Sequence, residues 1–141
     1  MLETVRDELI SLVYTALKAD PLTEDIEILY EDTDIDKPKS LDVSWCRISV
    51  KHVSGKQATL ANQVNQRRYR RNGLLIVQLF TPIGTGLSLA DKYAKIILDS
   101  VEGKSTTSNV WLRNCRTNEI GREGSWQQTN IFADFEYDEE K

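Results

Sequence analysis

The sequence predicts an α+β fold: a mainly antiparallel or mixed sheet with two helices packed on one face. Three features carry this expectation. Two amphipathic helical stripes stand far apart, one at the N-terminus and one after residue 88. Strand-like segments rich in β-branched and aromatic residues fill the space between and after them. The elements do not alternate as regular βα units, which disfavours a doubly wound parallel sheet.

Leu2, Val5, Leu9, Leu12, Val13, Ala16 and Leu17 recur at helical spacing, with Glu3, Arg6, Asp7, Glu8 and Lys18 between them. One buried stripe on an amphipathic helix follows. Pro21 disfavours helical geometry at Asp20, so the helix ends there. Ile26, Ile28 and Tyr30 alternate with Glu27 and Glu31 around a break at Leu29, predicting a short strand. Residues 31–39 are polar and acidic, a loop. Residues 43–53 carry Trp45, Ile48 and Val50 among polar neighbours, a second strand. Residues 54–66 have neither period and are expected to form a loop. A basic lead-in then runs into Leu74-Leu75-Ile76-Val77-Gln78-Leu79-Phe80, which suits a central strand. After the turn Pro82-Ile83-Gly84-Thr85-Gly86, Ser88 and Asp91 offer a capping box for a second helix. Its expected stripe is Leu89, Tyr93, Ile96, Ile97 and Val101, with Gly103 as the stop. Val110-Trp111-Leu112-Arg113 starts another strand, and Gly121-Arg122-Glu123-Gly124 is the expected hairpin turn. In the last strand Ile131, Ala133, Phe135 and Tyr137 share one face.

With 141 residues, one domain is expected over residues 1–141. Hydrophobic residues at 40% and charged residues at 28% fit an ordinary globular chain. The net charge of −4, from 18 bases and 22 acids, disfavours wholesale coating of nucleic acid. The N-terminus lacks the basic start and apolar run of a signal peptide, and residues 74–80 are too short to span a bilayer as a helix. A cytoplasmic origin and no membrane partner are therefore expected. Cys46 and Cys115 are far apart and are expected to be free thiols.

Catalytic and metal-binding patterns are weak. His52 is the single histidine, and no G-x-S-x-G accompanies it. Asp32-Thr33-Asp34-Ile35-Asp36 opens like a calcium loop, but Lys37 and Val43 stand where glycine and glutamate are required. Gly84-Thr85-Gly86 precedes a helix without the lysine of a phosphate loop or the third glycine of a dinucleotide site. One histidine and two scattered cysteines do not make a zinc set. No enzyme activity and no cofactor are expected.

The sharpest local feature is Arg67-Arg68-Tyr69-Arg70-Arg71. Three readings stand for it: a solvated edge, a protein interface, or a contact with nucleic acid. On a strand, Arg67, Tyr69 and Arg71 would share one face, and Arg68 and Arg70 the other. Acids concentrate elsewhere, over residues 20–36 and at Asp134, Glu136, Asp138, Glu139 and Glu140. Separate basic and acidic clusters permit head-to-tail contacts between identical subunits, which close into rings.

The chain resembles a family of phage tail-terminator-like proteins. The residues that carry the likeness are Arg67-Arg68-Tyr69, Gly73-Leu74, Val77-Gln78-Leu79-Phe80 with Pro82 and the Gly84/Gly86 turn, and Val101-Glu102-Gly103. A second block is Val110-Trp111-Leu112-Arg113-Asn114, then Arg116, Asn118-Glu119-Ile120-Gly121, Gly124, Trp126, Asn130 and Phe135-Glu136-Tyr137-Asp138. Before residue 67 only Tyr30-Glu31 and Trp45 with Arg47 join it. The resemblance implies a virion subunit forming a hexameric ring at the head-proximal end of a long tail. There it would end tail-tube polymerisation and join tail to head. Its implied partners are its own copies, the tail-tube protein and head-completion or neck proteins. Genomic DNA would pass through the lumen without specific binding, past an acidic wall. Arg67, Arg68, Tyr69, Arg70 and Arg71, with Gly55, Gln57 and Asn62 of the 54–66 segment, are the expected contact residues. The alternatives are another neck adaptor and, from a different class, a small nucleotide-binding module or enzyme using the Gly84–Gly86 turn.

Overall fold

A computed structural model describes residues 1–31, 43–59 and 67–141. Its elements are α1 (Leu2–Ala19), β1 (Glu27–Tyr30), β2 (Trp45–Gln57), β3 (Arg68–Pro82), α2 (Leu87–Val101), β4 (Trp111–Glu123) and β5 (Trp126–Glu140). The five strands form one mixed sheet in the order β1-β2-β3-β5-β4, with no barrel closure among the described residues. Only β1 and β2 run parallel; the other neighbours are antiparallel. This is the α+β architecture expected, with β3 as the central strand.

Both helices lie against one face. From α1, Val5, Leu9, Val13 and Leu17 are buried, while Leu2 of the expected stripe is exposed. The strands meet them with Cys46, Ile48 and Val50, Leu75, Val77 and Leu79, and Ile131, Ala133, Phe135 and Tyr137. The period-2 pattern of β5 thus gave its buried face correctly. In α2 the buried side is Ala90, Ala94, Ile97, Ser100 and Val101; of the expected stripe Ile97 and Val101 are buried, Tyr93 and Ile96 pack partly buried against the core, and Ala90 and Ala94 were not foreseen. The small Ala90 and Ala94 sit at the buried face of the first turns, with Tyr93 and Ile96 partly buried beside them, and Ile97 and Val101 fill the core farther along.

Several expectations are corrected. Leu29 is not a break; it is buried with Trp45, Phe80 and Trp126 in a second apolar cluster. Trp45 stacks on Phe80 with ring centroids 4.1 Å apart, and Trp126 meets Trp45 edge-on at 5.6 Å. Ser88 does not cap α2: the helix starts at Leu87, Gly86 holds the N-cap, and no side-chain cap bond forms. Gly86 has φ +83°, and a glycine there bends the chain into the helix earlier than the capping pattern suggests. The hairpin turn falls at Gly124 and Ser125, because β4 continues through Gly121 as a bulge rather than turning. Residues 54–57, expected to be loop, continue β2, held by the ladder from Ser54↔Asn72 to Gln57↔Tyr69. Backbone pairing needs no apolar period, so the polar side chains concealed that strand.

Gly73 explains the tight centre of the sheet. It sits opposite His52 on β2 and Phe135 on β5. A Cβ at this position would collide with the Lys51 carbonyl oxygen and the Phe135 ring. The missing side chain lets the Phe135 ring lie across β3 and meet His52 edge-on at 5.2 Å.

Candidate functional site

Past the region covered by helices, three strands continue together. Residues 54–57 of β2, 68–72 of β3 and 136–140 of β5 stay hydrogen-bonded as neighbours. Every β2 residue from Val53 to Gln57 is exposed. Four to five residues at about 3.3 Å each make an arm roughly 15 Å long. The expected contact residues Gly55, Gln57, Arg68, Tyr69, Arg70 and Arg71 all belong to this arm, with Arg67 directly before β3. Asn62 lies outside the described residues, as does the whole of the 32–36 acidic motif.

The ladder places the basic cluster against the acidic C-terminal strand of the same chain. Arg68 pairs Glu140, Arg70 pairs Asp138, and Tyr69 pairs Glu139 in register. The side chains follow. Arg70 Nε donates to Asp138 Oδ1 at 3.1 Å and lies 3.3 Å from Glu136. Arg71 Nε donates to Glu139 Oε2 at 3.0 Å. Arg68 reaches Asp138 and Glu140 at 3.8 Å each. The hydrogen bond that Arg70 donates to Asp138, then the charges of Asp138 and Glu136, raise the Arg70 pKa further. The basic cluster and the C-terminal acids, which the sequence alone left free to meet between subunits, meet within one chain. Sequence distance hid this, since the partners lie 68 residues apart.

Arg68 and Arg70 fall on the helix-free face and Tyr69 and Arg71 on the other, as strand alternation predicted. Arg71 stretches across the arm from Glu139 towards β2. A Cβ on Gly55 would come within 2.7 Å of its guanidinium nitrogen, so Gly55 keeps that path open. Lys56 takes part in no ion pair among the described residues.

The other sequence candidates are placed plainly. His52 Nε2 lies 3.0 Å from the Tyr137 hydroxyl, between the Phe135 and Tyr137 rings. Burial, then the charges of Arg6 and Arg71, lower its pKa. It is a packing residue at the base of the arm. Cys46 and Cys115 are free. Burial pushes the Cys46 thiol up to about 12, against a lowering by Lys18, so it is a protonated core group. No three metal-ligating side chains converge among the described residues. Beside the Gly84–Gly86 turn lies a hollow of about 290 Å³ whose charged lining, among the described residues, is Asp25 alone. That sign repels a phosphate.

A larger groove of about 830 Å³ runs between α1, α2 and the 104–107 segment. Leu12, Ala16 and Ile96 line it, with Asp7, Glu8 and Asp99 along it. Glu8 accepts hydrogen bonds from Thr106 at 2.9 Å and Ser108 at 3.0 Å, tying the segment to α1. Sequence reasoning missed this groove, because its walls are far apart in the chain. No helix among the described residues is long and apolar enough to cross a membrane.

No family model matches the chain, and no curated protein matches it. Solved structures do resemble it. One, described by a sequence identifier alone, is 15% identical and superposes with a TM-score of 0.70 over 96% of this chain and 94% of that one. It shares the fold. Another, a chain in the virion of a native gene transfer agent (GTA) particle, is 16% identical over 92% of each chain. Its TM-score is 0.48, too loose a likeness to carry an argument.

Proposed function

We propose that this chain is a non-catalytic structural subunit of a phage-type virion, of the tail-terminator kind. It would form a ring at the head-proximal end of the tail, end tail-tube growth and offer a surface to the neck proteins. The observation that carries the reading is the three-stranded arm. It is stiffened by ion pairs, exposed at its β2 edge and free of any catalytic set among the described residues. A rigid projection without chemistry suits contact between subunits. Most of the segments that resemble tail terminators fall on β3, on the β4–β5 hairpin and in the arm, with the rest at the Gly84–Gly86 turn, the end of α2, and Tyr30, Trp45 and Arg47 of β1 and β2. The pairing of Arg68, Arg70 and Arg71 with carboxylates also supports passage of DNA without tight binding, because those cations are already neutralised.

The test is genetic and visual. A phage whose copy of this gene is silenced should assemble tail tubes of uncontrolled length that fail to join filled heads. Supplying the chain in trans should restore both. Tails of normal length joined to heads without the chain would refute the proposal. If length is normal and only joining fails, the neck-adaptor role replaces the terminator role.

A further inference from the structure

We infer that copies of this chain join arm to arm through unlike edges. The β2 edge at residues 54–57 of one copy lies beside the β5 edge at residues 137–140 of the next. The inference rests on the reading that the chain assembles with itself, and it names the surfaces. Both edges are open among the described residues. β1 pairs with β2 only from Trp45 to Ile48, and β4 pairs with β5 no farther than Glu136. Beyond those points each strand has, among the described residues, a paired neighbour on its β3 side alone. Unpaired backbone groups on such an edge are a template for another strand.

Charge selects which edges meet. Lys56 is the one charged residue between Val53 and Gln57, whereas residues 138–140 are Asp138, Glu139 and Glu140. A two-fold joint between like edges would set lysine near lysine, or acids near acids. A joint between unlike edges sets lysine among acids. The register supports this in detail. Lys56 pairs Arg70, and Arg70 pairs Asp138, so Lys56 and Asp138 stand at one level and on one face of the sheet. Glu140 is two residues farther on that face, 64% exposed and held only at 3.8 Å by Arg68. Val53, 70% exposed, adds an apolar contact at the start of the same edge.

Strand direction gives the symmetry. β2 and β5 are both antiparallel to β3 and so run the same way. Joining them between copies makes a parallel ladder, repeated by one rotation. A heterologous contact of that kind closes into a ring or continues as a filament; it does not stop at a dimer.

The experiment uses the full chain with Cys115→Ser as background. Gln57→Cys and Lys141→Cys are made separately, each checked for an unchanged melting temperature, and treated with a short bis-maleimide. Linked dimers are expected only when the two variants are mixed, and a chain carrying both cysteines should give a ladder of multimers. Adding Lys56→Glu should cut the yield several-fold, and Glu140→Lys in the partner should restore it. Linked dimers within either single variant, or none in the mixture at the highest soluble concentration, overturn the inference. Failure here with a positive tail phenotype leaves the virion role and removes these edges. Success here without the phenotype leaves the joint and removes the virion role.

Discussion

Replacing Gly73 with alanine weighs two opposing effects whose balance the structure decides. In the unfolded chain, alanine has less freedom than glycine, which alone would stabilise the fold by about 0.4–1 kcal/mol. In the folded chain the new Cβ meets the Lys51 carbonyl oxygen and the Phe135 ring. The carbonyl belongs to the β2 ladder and cannot swing away, so β2 and β3 must part or the Phe135 ring must leave its well. Overpacking of this kind costs about 1–3 kcal/mol, and a clash with fixed backbone belongs at the upper end. The net expectation for Gly73→Ala is a loss of roughly 1–2 kcal/mol. For a chain of this size, at about 3–4 °C per kcal/mol, that lowers the melting temperature by roughly 3–7 °C. Urea unfolding followed by tryptophan fluorescence measures it, with the slope m unchanged. Adding Phe135→Leu should not restore wild-type stability, because the carbonyl clash stays. A Gly73→Ala variant as stable as wild type, or more stable, refutes the packing argument.

Other expectations follow from the same contacts. His52 has a lowered pKa in the folded protein, so the unfolded chain binds its proton first as pH falls. Its contribution is complete above the ordinary histidine pKa of about 6.5 and is lost as pH drops through the folded value. Melting temperatures between pH 7.5 and 5.5 should fall in wild type and fall less in His52→Gln; equal slopes would remove histidine as the cause. A double-mutant cycle on Arg71 and Glu139, which are largely covered and 3.0 Å apart, should give a coupling of about 1 kcal/mol that shrinks in high salt. Thiol labelling of the native protein should spare Cys46 entirely and modify Cys115 slowly, with both reacting in denaturant; fast native labelling of Cys46 would contradict its burial. Trp126→Ala removes one wall of the Trp45–Phe80 stack and should cost about 3–5 kcal/mol, read by chemical unfolding.

Much of the fold was legible because burial leaves periodicity. The α1 stripe, the 74–80 core strand and the alternation of Ile131, Ala133, Phe135 and Tyr137 each mark a buried face directly. Where burial stops, the signal stops. Residues 54–57 are a strand held by backbone bonds alone, and their polar side chains gave no period. Helix α2 was legible as a helix and partly in its buried side: Ile97 and Val101 stood in the apolar stripe, whereas the buried Ala90 and Ala94 are too small to mark a face. The candidate site was half legible. The arginine cluster stood out, yet its partners Asp138 and Glu139 are 68 residues away, and only the β3–β5 register brings them together.

That register changes what the charges of this chain can do. Residues 1–25 and 87–109, which hold both helices, carry nine acids and five bases. The difference equals the net charge of −4, so the rest of the chain is balanced, with thirteen of each sign. Within that balanced part, Arg68, Arg70, Arg71 and Arg116 all face carboxylates of β5. A phosphate approaching the arm would have to displace an acid already fixed by the ladder, and it would meet that acid's charge on release. The arginines therefore fasten β3 to β5 within the arm. Lys56, across β3 from those acids and in no ion pair among the described residues, is a cation of the arm left to look outward. The two edges of one arm thus differ in charge by construction, and this asymmetry distinguishes a subunit that meets its copies head to tail from one that meets a single twin across a two-fold axis.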